Sequence, residues 1–172
     1  MLLILKLALA WRLFLPPPDS STLDPETLFD FWIGEWDLTW KDAEGNTQKG
    51  NNRIVKVLDD QVIQENFEAF SSSAEASPLK GMSLSVYNPQ TERWHQAWTD
   101  NQGGYFNFIG KVEGKQRIFF TTITNQDGEA IHLRMVFRDI TKNSFIWNWE
   151  SSRDEGGTWK LNWQIHYQRR NS

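Results

Sequence analysis

At Gly34 the chain changes its period, and from there to about residue 169 apolar and polar residues alternate in ten runs separated by turn chemistry. A period of two marks a strand with one buried face. The runs cover about 35–42, 49–58, 61–70, 80–88, 92–99, 105–113, 116–124, 129–139, 144–152 and 158–169. Glu44-Gly45-Asn46, Asp59-Asp60, Asn88-Pro89, Glu113-Gly114-Lys115 and Arg153-Asp154-Glu155-Gly156-Gly157 supply turns between them. Ser71 to Ser77 reads as a longer Ser/Ala-rich loop. Ten sequential strands with short connections predict an all-β fold, an up-and-down antiparallel barrel whose closure leaves no exposed strand edge. A β-sandwich is the competing arrangement.

One short helix precedes the first strand. Asp24 is a good N-cap, Pro25 suits the first helical position, and Glu26 complements the helix dipole. Leu28, Phe31 and Trp32 fall on one face, and Gly34 stops the helix. Residues 24–170 then form one barrel domain, and residues 1–23 stand apart from it. Met1–Leu15 is apolar but interrupted by Lys6 and Arg12, and Pro16 to Pro18 end it. It is too short and broken to span a membrane, and no small-residue cleavage site follows at a sensible distance. A surface helix or upstream sequence is the favoured reading. The expected compartment is the cytoplasm, with export or membrane attachment through residues 1–15 as the alternative.

The string Phe29-Asp30-Phe31-Trp32-Ile33-Gly34-Glu35-Trp36-Asp37 resembles a bacterial domain of uncharacterised function within the calycins, the lipocalin-like barrels. The resemblance covers roughly residues 24–170. It implies that the short helix closes one barrel end, that Trp36 of the Gly34-Glu35-Trp36 motif lies over that end, and that a cation from the last strand packs across it. Alternation within the tenth strand separately puts Arg169 on the same face as Trp163, Ile165 and Tyr167, at the strand's end. Arg169 is therefore the expected closing cation.

The same parity drafts an interior. Trp36, Leu38 and Trp40 face inward in the first strand. Trp94, Gln96 and Trp98 share a face in the fifth, Phe145, Trp147 and Trp149 in the ninth, and Ile131, Leu133, Met135 and Phe137 in the eighth. Met82, Leu84 and Val86 are the expected inner face of the fourth strand, and Trp159 and Leu161 join that of the tenth. In the third, Ile63, Glu65, Phe67 and Ala69 lie together, so Glu65 becomes an interior carboxylate, with Arg53 as a candidate partner. The seventh strand is ambiguous between Phe119 and Phe120.

Composition narrows the function. The chain has 172 residues, a formal net charge of −4, 10 tryptophans, 11 phenylalanines and no cysteine. No basic run exists, which argues against nucleic acid as a partner. Without cysteine there is no disulfide or thiolate chemistry. His95, His132 and His166 all face opposite to the aromatic sides of their strands, so no interior metal and no cofactor is expected. Some calycins bind haem through a C-terminal histidine, and His166 is the one residue placed to imitate it, with the wrong parity. Ser71-Ser72-Ser73 lacks a paired base, and Gly103-Gly104 precedes no helix, so neither a nucleophile nor a phosphate loop is indicated.

The expected activity is binding of a small hydrophobic or aromatic ligand. Trp40, Trp94, Trp98, Trp147, Trp163 and Tyr167 would surround it, with Gln96 and Glu65 orienting it. No catalytic residue is assigned. The alternatives are a calycin-type lyase or cyclase using Glu65 or Asp100 as acid or base, and a filled barrel that acts through its outer surface.

Overall fold

The computed structural model describes residues 24–70 and 77–170. The apolar segment, its prolines and most of the Ser71–Ser77 loop lie outside the described residues. Ten strands follow in order: β1 (Gly34–Lys41), β2 (Thr47–Val57), β3 (Val62–Ala69), β4 (Lys80–Asn88), β5 (Arg93–Asp100), β6 (Tyr105–Glu113), β7 (Gln116–Thr124), β8 (Ala130–Arg138), β9 (Ser144–Ser152) and β10 (Lys160–Arg169). Each pairs antiparallel with its sequence neighbours, and β1 pairs with β10 to close the barrel. The barrel, not the sandwich, is the fold. Among the described residues no helix is long and apolar enough to cross a membrane.

The leading helix is two 3-10 turns, Pro25–Thr27 and Asp30–Trp32. Asp24 caps the first, its Oδ1 accepting from the Glu26 amide at 3.0 Å. Together they plug one barrel end. Phe29 is fully buried, stacks on Phe119 at 4.3 Å and meets Trp94 edge-on at 5.2 Å. Trp32 packs on Phe137, and Trp36 on Phe145. Such tilted ring pairs add stabilisation beyond their burial.

Arg169 locks the plug. Its guanidinium lies 4.1 Å from the Trp36 ring centre, a cation–π contact. It also donates to Ile33 O at 2.8 Å, Phe31 O at 3.2 Å and Lys142 O at 2.8 Å. Gly34 makes room for it. Its φ is +140°, and a Cβ there would stand 2.1 Å from Arg169 Nη1.

Two inward assignments differ from the sequence expectation, and one left open is resolved. In β4 the inner face is Gly81, Ser83, Ser85 and Tyr87, while Met82, Leu84 and Val86 point outward, 38–44% exposed. The Trp98 ring lies diagonally across the β4–β5 pair over Gly81: a Cβ there would sit 2.1 Å from it, so only glycine fits beneath it. In β10 a bulge between Leu161 and Trp163 flips everything before it. Leu161 is exposed, and Trp159 covers the Arg134 guanidinium at 3.9 Å on the outer wall, where Arg134 also pairs with Glu150 at 2.6 Å. In β7 the ambiguity resolves with Phe119 inside and Phe120 outside.

Gly34→Ala should lose about 3 kcal/mol of stability, from a strained φ and the clash with the guanidinium. Urea unfolding followed by tryptophan fluorescence measures it; an unchanged midpoint would mean that the junction tolerates a side chain.

Candidate functional site

The interior has three levels. The plug fills one end. At mid-height one wall is polar: Asn52 from β2, Glu65 from β3, Ser83 and Ser85 from β4, Gln96 from β5 and Tyr167 from β10. Toward the end opposite the plug the rings stand apart and leave a cavity of about 190 Å³. Eight aromatic side chains line it: Phe67, Trp98, Phe106, Phe108, Trp147, Trp149, Trp163 and Tyr167. Leu79, Met135 and Ile165 complete its apolar wall, and Glu65 and Asp100 are its carboxylates.

Each ring is held by its neighbours. Trp163 meets Trp40, Phe67 and Trp147 edge-on at 5.4, 5.9 and 5.7 Å. Trp147 and Trp149 lie parallel, 6.4 Å apart, two residues along one strand face. The Trp98 indole donates to Asp100 Oδ2 at 3.1 Å. Asp100 Oδ1 accepts from the Gln102 and Gly104 amides, at 2.9 and 2.8 Å. Partial burial opposes ionisation of Asp100. The amide of Gly104, the Trp98 indole and the amide of Gln102 outweigh it and hold the carboxyl below the usual range.

Glu65 is the unusual group. It is 5% exposed, with no cation beside it among the described residues. Its Oε2 accepts from the Ser83 hydroxyl at 2.6 Å and its Oε1 from the Asn52 amide at 2.7 Å. Arg53 is not its partner; it points outward and pairs with Glu35 at 3.7 Å. Burial therefore dominates, and the carboxyl is pushed up from 4.5 to about 7, with the two hydrogen bonds opposing the shift. The Asn52 amide also donates to the Tyr167 hydroxyl at 3.2 Å. Burial, and then the Glu65 charge, raise that phenol well above its ordinary 10, so it stays neutral. Gln96 donates to Ser83 Oγ at 3.2 Å and Ser85 Oγ at 3.0 Å. Two buried acceptors in this network, Asn52 Oδ1 and Gln96 Oε1, have no donor among the described residues.

Of the residues singled out from sequence, Glu65, Trp98, Trp147, Trp163 and Tyr167 line one cavity. Trp40 packs behind Trp163. Gln96 sits one step removed, joined to Glu65 through Ser83. Trp94 lies outside the cavity, at the plugged end, where its indole donates to Pro25 O at 2.7 Å. It is a plug contact and not a wall of the site. Gly34, Trp36 and Arg169 belong to that same end. Sequence reasoning missed Leu79, Phe106, Phe108, Asn52, Ser83 and Ser85. Arg53 pointing out would have placed Asn52 inside, by alternation. The histidines face outward, and His132 Nδ1 lies 3.1 Å from Thr122 Oγ1. Among the described residues no three His, Cys, Asp or Glu side chains converge as a metal site.

Fold and site together define a closed ten-stranded barrel with an aromatic cavity at one end and a helical plug at the other. No family profile matches the chain, and no curated protein matches it in sequence. Among solved structures it is similar to a redesigned β barrel, with 11% identity and a TM-score of 0.43, over 85% of this chain and 96% of that one. It is also similar to a de novo designed fluorescence-activating β barrel, with 10% identity and a TM-score of 0.44, over 84% of this chain and 98% of that one.

The Glu65 shift has a definite sign. Between 4.5 and about 7 the folded carboxyl holds a proton that the unfolded one releases. Stability should therefore fall as pH rises through this window, by on the order of 3 kcal/mol in total, and level off above it. Glu65→Gln should flatten that decline. Urea unfolding at pH 5 and pH 8 tests both; a variant that keeps the wild-type decline would assign it to another group.

Proposed function

We propose that this protein is a lipocalin-like carrier that takes one small apolar or aromatic molecule into the cavity opposite its plug. The observation that carries this reading is the cavity itself: about 190 Å³, lined by eight aromatic rings, in a barrel with ample aromatic mass to fill it. An apolar cavity of about 150 Å³ is enough to bind benzene. This one suits a ligand of one or two rings. Its wall is largely apolar with few polar groups, the composition of small-molecule sites. The Gly34-Glu35-Trp36 motif beneath the Arg169 guanidinium supports the lipocalin-like assignment. The cysteine-free composition supports a reducing compartment.

A second reading has one observation in its favour. A carboxyl pushed up to about 7 inside a cavity is poised to exchange a proton with a bound molecule near neutral pH. On that reading Glu65 is the acid or base of a lyase or cyclase. Turnover that survives Glu65→Gln would remove it.

Naphthalene is a suitable neutral probe for the carrier reading. It should bind saturably, one to one, by isothermal titration calorimetry. Leu79→Trp, which fills the cavity from its wall, should abolish that binding and leave the unfolding midpoint close to wild type. Non-saturating uptake, or uptake indifferent to Leu79→Trp, would overturn the reading.

A further inference from the structure

Two carboxylates and no lysine, arginine or histidine line the cavity among the described residues. The rest of the wall presents rings whose faces carry the negative end of the aromatic quadrupole. The polar wall beside the cavity repeats the theme. Glu65 reaches the cavity, and behind it Asn52 Oδ1 and Gln96 Oε1 are buried acceptors without donors among the described residues. Asp100 closes the outer end of the same space, with its charge stabilised by two amides and an indole. Every fixed charge around the cavity among the described residues is thus negative.

An anionic ligand such as a fatty acid would meet two carboxylates and no counter-charge, and desolvating it there would be uncompensated. A neutral apolar ligand would leave Glu65 and its orphaned neighbours as they are. A protonated amine answers the missing counter-charge at Glu65, the carboxylate of this wall that lines the cavity. It brings several N–H donors, its charge pairs with a carboxylate in a desolvated site, and ring faces stabilise it further. We propose that the cavity selects an organic cation: a one- or two-ring apolar body carrying a protonated amine, with the nitrogen at Glu65 and the body among Phe67, Trp147 and Trp163. This inference rests on the carrier reading and adds the charge of the ligand to it. Glu65 must be ionised to pair with the amine. The other titratable groups facing it are Tyr167, which stays neutral, and Asp100, farther out along the same wall. Binding near neutral pH therefore expels the Glu65 proton.

Three probes of similar size separate the cases: 2-phenylethylamine, phenylacetate and propylbenzene, each titrated calorimetrically into the full chain at pH 7.5. The amine should bind tightest, about tenfold or more ahead of propylbenzene, with phenylacetate weakest. Its affinity should rise roughly thirtyfold from pH 5.5 to pH 8, as Glu65 ionises, and that of propylbenzene should not. Titration in two buffers of different ionisation enthalpy should show proton release on binding the amine. Glu65→Gln should erase the advantage of the amine and leave propylbenzene within about twofold. The wild-type ranking stands on its own if that variant does not fold. Propylbenzene or phenylacetate binding as tightly as the amine would overturn the inference and leave the carrier reading intact. Saturable binding of none of the three would overturn both.

Discussion

Five carbonyls of the segment between Pro25 and Ile33 are taken by side-chain donors. Trp94 donates to Pro25, Arg117 to Leu28, Trp36 to Trp32, and Arg169 to both Phe31 and Ile33. A chain entering a barrel must bury its backbone, and buried carbonyls without partners are costly. Here β1, β5, β7 and β10 each send a donor to the plug. The plug in turn fixes the rings of Phe29, Trp32 and Trp36 at the axis. Everything above it, including the height at which the polar wall and the cavity begin, is referred to that closed end.

This satisfaction by side chains explains the shape of the plug. A continuous α-helix would spend its carbonyls on its own amides four residues on. Two three-residue 3-10 turns leave them free for indole and guanidinium donors and still present Phe29 and Trp32 inward. The capping residues Asp24 and Pro25 were readable in the sequence; the kind of helix was not, because the competing donors lie as far away as residue 169. The same distance separates what was legible elsewhere. The strands follow from alternation and their order from the short connections; the Arg169–Trp36 contact follows from the family resemblance, with alternation placing Arg169 on the inner face. The inner face of β4 does not follow from alternation, because its apolar residues face outward and its serines serve Glu65 and Gln96. The β10 bulge left no mark in the alternation, and it moved Trp159 and Leu161 to the other side.

The site was half legible for the same reason. Parity brought Glu65, Trp98, Trp147, Trp163 and Tyr167 to one interior, but not to one height within it. Trp94 has the parity of Trp98 and lies four residues nearer the plug, so it serves the opposite end. What decides between filled and hollow is local. Gly81 removes a side chain beneath the Trp98 ring, while Gly110 lets the plug's Phe29 approach β6. The first makes room beside the cavity, the second at the closed end.

Closure of the barrel also has a consequence in time. β1 pairs with β10, Trp36 opposite Arg169, across nearly the whole sequence. During synthesis the N-terminal strands emerge first, and the free edge of β1 waits for β10 before it finds its partner. Contacts of such separation slow folding, and an unpaired edge beside exposed tryptophans is a nucleus for association with other chains. The arginine that seals the finished barrel is thus also the residue that ends its most vulnerable interval.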